Sequence, residues 1–104
     1  MAHLSADSET IRRNLEGITR DVDKAALRSG RSVGSVSICV ATKYVDSAGM
    51  AALRDAGVGI AAENRLQDMI QKQESFKDDF EWHFIGAIQS RKVLEIATRV
   101  SVIH

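Results

Sequence analysis

Lys43 closes the apolar run Val36-Ser37-Ile38-Cys39-Val40-Ala41-Thr42, and a primary amine in that position is suited to condensation with a carbonyl. The run is short, β-branched and nearly uninterrupted, which predicts a strand buried on both faces. A lysine at the C-terminal end of such a strand reaches the mouth of a parallel α/β sheet, where these folds carry their chemistry. Held against apolar neighbours, its amine shifts towards the neutral, nucleophilic form. Position alone leaves two readings open: a Schiff-base lysine, or a solvated lysine in a βα turn. His83 and Asn64 stand near two later strand ends. In Trp82-His83-Phe84-Ile85, alternation puts His83 and Ile85 on one face and Trp82 and Phe84 on the other.

The elements that must position these residues follow from periodicity. Ile11, Leu15, Ile18, Val22 and Ala25 line one face of a first helix, with Ser8 as N-cap and Gly30 just past its end. After the Lys43 strand, Asp46 caps a second helix that turns Met50, Leu53 and Ala56 inward and is closed by Gly57. Val58-Gly59-Ile60-Ala61-Ala62 reads as the next strand. Asn64 then caps a third helix carrying Leu66, Met69, Ile70, Gln73 and Phe76. Lys77-Asp78-Asp79 is a polar turn, Trp82 to Ile85 a third strand, Ser90 the cap of a fourth helix through Arg99, and Val100-Ser101-Val102-Ile103 a fourth strand.

Strands alternating with three-turn helices predict right-handed βαβ units in an α/β fold. The expected architecture is about half of a (β/α)₈ TIM-type barrel preceded by an N-terminal helix, since a whole barrel takes about 250 residues. Residues 1–104 are expected to form this one partial-barrel domain. The last strand would leave an apolar sheet edge, which implies a truncated barrel, self-association, or pairing with another polypeptide.

Composition excludes several classes. The chain is 44% hydrophobic and 27% charged, ordinary globular material. Fourteen basic and fourteen acidic side chains cancel, so no nucleic-acid or anionic-membrane partner is expected. No apolar stretch approaches the ~20 residues that span a bilayer, and Met1 to Asp7 lacks the pattern of a secretory signal. Cys39 is a lone cysteine and reads as a small core residue, which fits a cytoplasmic setting. His3, His83 and His104 lack metal-ligand spacing and no Cys or carboxylate cluster accompanies them, so no metal site is expected. Nucleophilic triads and nucleotide-binding loops are absent as well.

Three segments taken together carry a resemblance: Val40-Ala41-Thr42-Lys43, Ala62-Glu63-Asn64-Arg65-Leu66-Gln67-Asp68, and Trp82-His83-Phe84-Ile85-Gly86-Ala87-Ile88-Gln89-Ser90-Arg91-Lys92. The chain resembles the pyridoxal phosphate homeostasis proteins, whose pattern is Ser-Lys or Thr-Lys at a strand end, then Gly-Glu-Asn, then Trp-His-Phe-Ile-Gly-x-Leu-Gln-x-Asn-Lys. The third segment is the specific one, an eleven-residue stretch that follows the pattern closely in order. The likeness runs from about Thr10 to the end and covers the first half of that family's barrel, the alanine racemase N-terminal fold. Ala62 replaces a glycine, Ile88 a leucine and Arg91 an asparagine; the Ala62 methyl restricts φ at a strand–helix turn.

The resemblance implies pyridoxal 5'-phosphate as cofactor and small-molecule partner, with Lys43 as its Schiff-base lysine and Asn64 and His83 beside it. Asn64 as a helix N-cap and His83 as a hydrogen-bonded core residue stay open beside those roles. The implied function is non-catalytic carriage or buffering of the cofactor, with no catalytic residue. Phosphate in such barrels sits at loops after strands seven and eight, so weak retention is expected of four strands. The alternatives are a half-barrel interaction module without cofactor, and a fragment of a racemase-like enzyme.

Overall fold

The computed structural model describes residues 7–104. His3 and the segment read for a secretory signal, up to Ala6, lie outside the described residues.

Helix α1 (Ser8–Arg28) is capped by Asp7, whose carboxylate accepts the Thr10 N–H at 2.7 Å, and not by Ser8 as expected. An acidic cap also opposes the positive end of the helix, an advantage Ser8 lacks. The bonds from Thr10 hold the Asp7 carboxyl below the usual carboxylate range. At the other end Gly30 has φ +86°, and the Gly30 and Arg31 N–H groups return to Leu27 O and Ala26 O. This is the Schellman closure that needs a residue without Cβ. Ile11 and Leu15 pack on the core, but Ile18 is exposed and Ala26, not Ala25, is the buried residue near the end. The chain after α1 folds back there: Arg31 N–H reaches Ala26 O, and Gly34 N–H reaches the Asp23 carboxylate at 3.1 Å.

Strand β1 is Val40–Ala41, far shorter than the run from Val36 to Thr42. The reason lies in its partner, β2 (Ile60–Glu63), with which Val40 and Ala41 pair opposite Ala61 and Ala62. The same register would set Val36 to Ile38 against Gly57, Val58 and Gly59. Gly57 is left-handed (φ +99°), and the Val58 N–H is spent on Leu53 O closing α2 (Ser47–Ala56). Without a partner ladder those residues remain irregular. Burial on both faces also fails, since Cys39 and Ala41 are exposed while Val40 packs on the core.

Helix α2 follows expectation: Asp46 accepts the Gly49 N–H at 2.8 Å, and Met50, Leu53 and Ala56 are buried. Helix α3 (Leu66–Phe76) buries Met69, Gln73 and Phe76, and its N-cap is Arg65 without a side-chain bond, so Asn64 is not the cap. A 3₁₀ turn, Lys77–Asp79, leads to β3 (Glu81–Phe84). A second 3₁₀ turn at Ser90–Lys92 precedes the short α4 (Val93–Ala97), so Ser90 caps no α-helix. Helix α4 stops before Arg99 because the Thr98 hydroxyl takes Glu95 O at 2.7 Å and the Gln73 amide takes Arg99 O at 3.0 Å. Strand β4 is Val102–Ile103.

Among the described residues, four strands form one wholly parallel sheet in the order β1-β2-β3-β4, with four α-helices between and before them. This is the expected partial β/α barrel with its N-terminal helix. One sheet face, with Ala61, Trp82 and Phe84, packs against Met50, Leu53, Met69, Phe76 and Ile96 from the helices. Phe80 meets Trp82 edge-on at 5.7 Å, and the indole N–H donates to Lys77 O. At the edge, Val102 and Ile103 of β4 are exposed. Among the described residues no helix is long and apolar enough to cross a membrane.

Ile96 is 1% exposed and is the buried residue of the five-residue α4. Ile96→Ala is expected to cost about 2–5 kcal/mol, read as a lower urea midpoint. Because the folded Asp7 pKa lies below its unfolded value, its contribution is present above the unfolded pKa and is lost as pH falls through the folded one. Asp7→Asn keeps the cap without the titration, so acid-side loss of helical circular dichroism should be smaller in that variant.

Candidate functional site

The C-terminal end of the sheet is organised by a buried carboxylate. Glu63, the last residue of β2, is fully buried on the helix-packed face, in register with Phe84 of β3. A charge there needs partners. Its Oε2 accepts from the Thr42 hydroxyl and from Lys72 Nζ of α3, the latter at 2.7 Å. Thr42 is itself tied at every polar group. Its N–H donates to Ala62 O at 2.9 Å, its hydroxyl oxygen lies 3.2 Å from the same carbonyl, and its own carbonyl accepts Val45 N–H at 3.0 Å and Lys72 Nζ at 2.5 Å. The Thr42–Val45 bond closes a tight turn of which Lys43 and Tyr44 are the central residues.

Lys43 is thus presented from a fully anchored neighbour. Its side chain is exposed, with Nζ 5.4 Å from the centre of the Tyr44 ring, itself 91% exposed. The apolar enclosure expected around the amine is not formed, because the turn carries both side chains away from the core.

Register aligns the other strand ends. Ala41 pairs with Ala62, Ala62 with His83, and His83 with Val102. Two residues further on, Lys43, Asn64, Ile85 and His104 stand level at the mouth of the sheet. Asn64 follows β2 directly, and its buried Oδ1 has no hydrogen-bond partner among the described residues. It lines a cleft of about 280 Å³ with Leu66, Phe84, Gln89, Lys92 and Ile96; Lys43 is not among the lining residues. Gln89 helps order that loop by accepting from Arg91 Nη2 at 3.0 Å. Ala62 sits in a regular strand, and no described residue other than glycine has positive φ, so its methyl is tolerated.

His83 lies one level deeper, on the sheet face opposite the aromatic core, and is 8% exposed. Its Nε2 is 2.9 Å from Glu81 Oε2, which also accepts from Ser101 Oγ at 2.8 Å; these bonds hold the Glu81 carboxyl below its usual range. Its Nδ1 is 3.0 Å from His104 Nε2 and 3.8 Å from Cys39 Sγ. Cys39 is therefore not a core residue: it is exposed on the same face, and partial desolvation with the Glu81 charge pushes its thiol up. The structure brings three dispersed residues together that sequence spacing kept apart. It likewise reveals the Thr42–Glu63–Lys72 network, for which the available signal was a glutamate ending an apolar strand beside a lysine bordering the buried face of α3.

Fold and site define a class, a partial β/α barrel that presents a lysine in the turn after its first strand. No protein-family model matches the chain. It is 34% identical over 91 residues to the pyridoxal phosphate homeostasis protein of Aquifex aeolicus (strain VF5), covering 86% of this chain and 40% of that one. The proteins of the same name from Pseudomonas aeruginosa and Escherichia coli (strain K12) are 32% and 31% identical, over 91% and 90% of this chain and 42% of each relative. The resemblance read in the sequence therefore holds: the chain is similar to pyridoxal phosphate homeostasis proteins along their N-terminal part. It spans about two fifths of the length of the curated relatives it matches.

Replacing Lys72 by methionine leaves the Glu63 carboxylate buried without its cation. Lys72→Met is expected to cost about 3–5 kcal/mol in urea unfolding, and a second change, Glu63→Gln, to restore much of it. A loss below about 1 kcal/mol would mean that the pair behaves as a solvent-screened surface bridge.

Proposed function

We propose that this chain takes part in pyridoxal phosphate homeostasis by binding pyridoxal 5'-phosphate reversibly and non-catalytically through Lys43. The supporting observation is the presentation of Lys43: an exposed amine in a strand-end turn, next to a threonine held at every polar group. The cofactor would supply an aldehyde, a group with which the primary amine of Lys43 can condense reversibly with loss of water. Exposure leaves the Lys43 amine free to meet it, while the Thr42 anchor limits where the amine can go. Asn64 Oδ1, buried and without a hydrogen-bond partner among the described residues, would accept a donor from the bound cofactor. His83 has both ring nitrogens engaged, and its proposed role is the floor of the site, one level below the lysine. On this reading residues 1–104 act as one partial-barrel domain.

The test is spectroscopic. Pyridoxal 5'-phosphate added to the protein should produce the visible absorbance of a Schiff base, and borohydride reduction should leave the added mass on Lys43. Lys43→Ala should abolish both. Asn64→Ala should weaken binding about fivefold, one lost hydrogen bond of about 1 kcal/mol. Equal absorbance and labelling in Lys43→Ala would sink the proposal.

A further inference from the structure

Cys39, His83 and His104 come from the segment leading into β1, from β3 and from the position just after β4, yet one ligand-capable atom of each lies within 4.8 Å of the other two. We propose that Cys39 Sγ, His83 Nδ1 and His104 Nε2 form a binding site for a borderline-soft divalent transition-metal ion, Zn²⁺ in particular, with Glu81 as the residue that orients His83.

The first support is geometric. Tetrahedral Zn²⁺ with bonds of about 2.05 Å to nitrogen and 2.3 Å to sulfur sets its ligand atoms about 3.3 Å (N to N) and about 3.6 Å (N to S) apart. The structure has 3.0 Å between His83 Nδ1 and His104 Nε2, and 3.8 Å between His83 Nδ1 and Cys39 Sγ. Shifts of a few tenths of an ångström suffice for those two pairs. Cys39 and His104 are both exposed, so their side chains are free to turn and close the third. The His83 ring can reach across the neighbouring strand because its register partner there, Ala62, carries only a methyl group.

The second support is the protonation pattern. Glu81 is an acceptor, so its 2.9 Å contact assigns the proton of neutral His83 to Nε2. Nδ1 is then a lone pair aimed at Cys39 and His104. Among the described residues, the side-chain hydrogen bonds of Cys39 and His104 both go to that one nitrogen, which can satisfy only one of them well. A cation resolves this convergence. A carboxylate on the remote ring nitrogen is the arrangement that metal-bound histidines use, and Ser101 Oγ steadies it at 2.8 Å. One thiolate and two imidazoles suit Zn²⁺ over Mg²⁺ or Ca²⁺, and three protein ligands leave a fourth position for water. On binding, the metal–sulfur bond replaces the thiol S–H bond, and the proton goes to solvent.

Co²⁺ is the probe, titrated into the reduced protein without pyridoxal phosphate and then displaced by Zn²⁺. The expected result is one equivalent of Co²⁺ with thiolate-to-metal charge transfer and visible tetrahedral bands, both lost on adding Zn²⁺. Cys39→Ser and His104→Ala change exposed side chains; the first should remove the charge-transfer band and the second should weaken binding at least tenfold. Glu81→Gln, which touches no metal, should weaken it about 10- to 100-fold. Lys43→Ala should bind Co²⁺ like the parent protein, which separates this site from the cofactor proposal. Absence of the charge-transfer band in the parent, or unchanged binding in Cys39→Ser and His104→Ala, would overturn the assignment.

Discussion

The buried Glu63 carboxylate is the constraint on which the mouth of the sheet depends. It has no water to turn to, so Thr42 and Lys72 must come to it. Satisfying it clamps three elements at once: the end of β1 through Thr42, the end of β2 to which Glu63 belongs, and α3 through Lys72. The Lys72 ammonium spends a second bond on the Thr42 carbonyl, so the turn that begins there inherits the position of the ion pair. Burying such a pair is a poor way to gain net stability compared with apolar residues. What it supplies here is a defined location for the residue that follows.

That location separates a rigid base from a free reagent. Thr42 is completely hydrogen-bonded, whereas Lys43 and Tyr44 extend from the turn into solvent. The same division runs through the whole sheet. Parallel register places Ala61, Trp82, Phe84 and Glu63 towards the helices, where apolar packing and the Glu63–Lys72 ion pair dominate. It places Cys39, His83, Glu81 and His104 on the opposite face, where the small Ala62 beside His83 lets polar side chains meet across strands. Packing is concentrated on one side of the sheet and chemistry on the other.

Much of this was legible in advance. The order of strands and helices, the Asp46 and Gly57 boundaries of α2, and the buried stripe Met69-Gln73-Phe76 follow from periodicity and capping, which are local. The strand-end location of Lys43 follows equally. The misreadings share another character. Val36 to Ile38 have good strand chemistry but face a left-handed glycine and a helix closure instead of a ladder. Asn64 and Ser90 are good capping residues, yet α3 and α4 begin after them. Ile18 has the right spacing but no neighbour to cover it.

By itself, then, the sequence determined the βα alternation, the inward stripes of the helices and the identity of the strand-end lysine, because each depends on residues within a few turns of one another. Tertiary structure alone decided the surroundings of that lysine: exposed rather than enclosed, and anchored through a carboxylate 20 positions away from it in the chain, by the ladder that ties Thr42 to Ala62. It alone brought Cys39 to His83 and His83 to His104, separated by 44 and 21 residues. Those meetings are products of parallel register, which strand spacing in one chain does not encode until the crossovers between strands are folded.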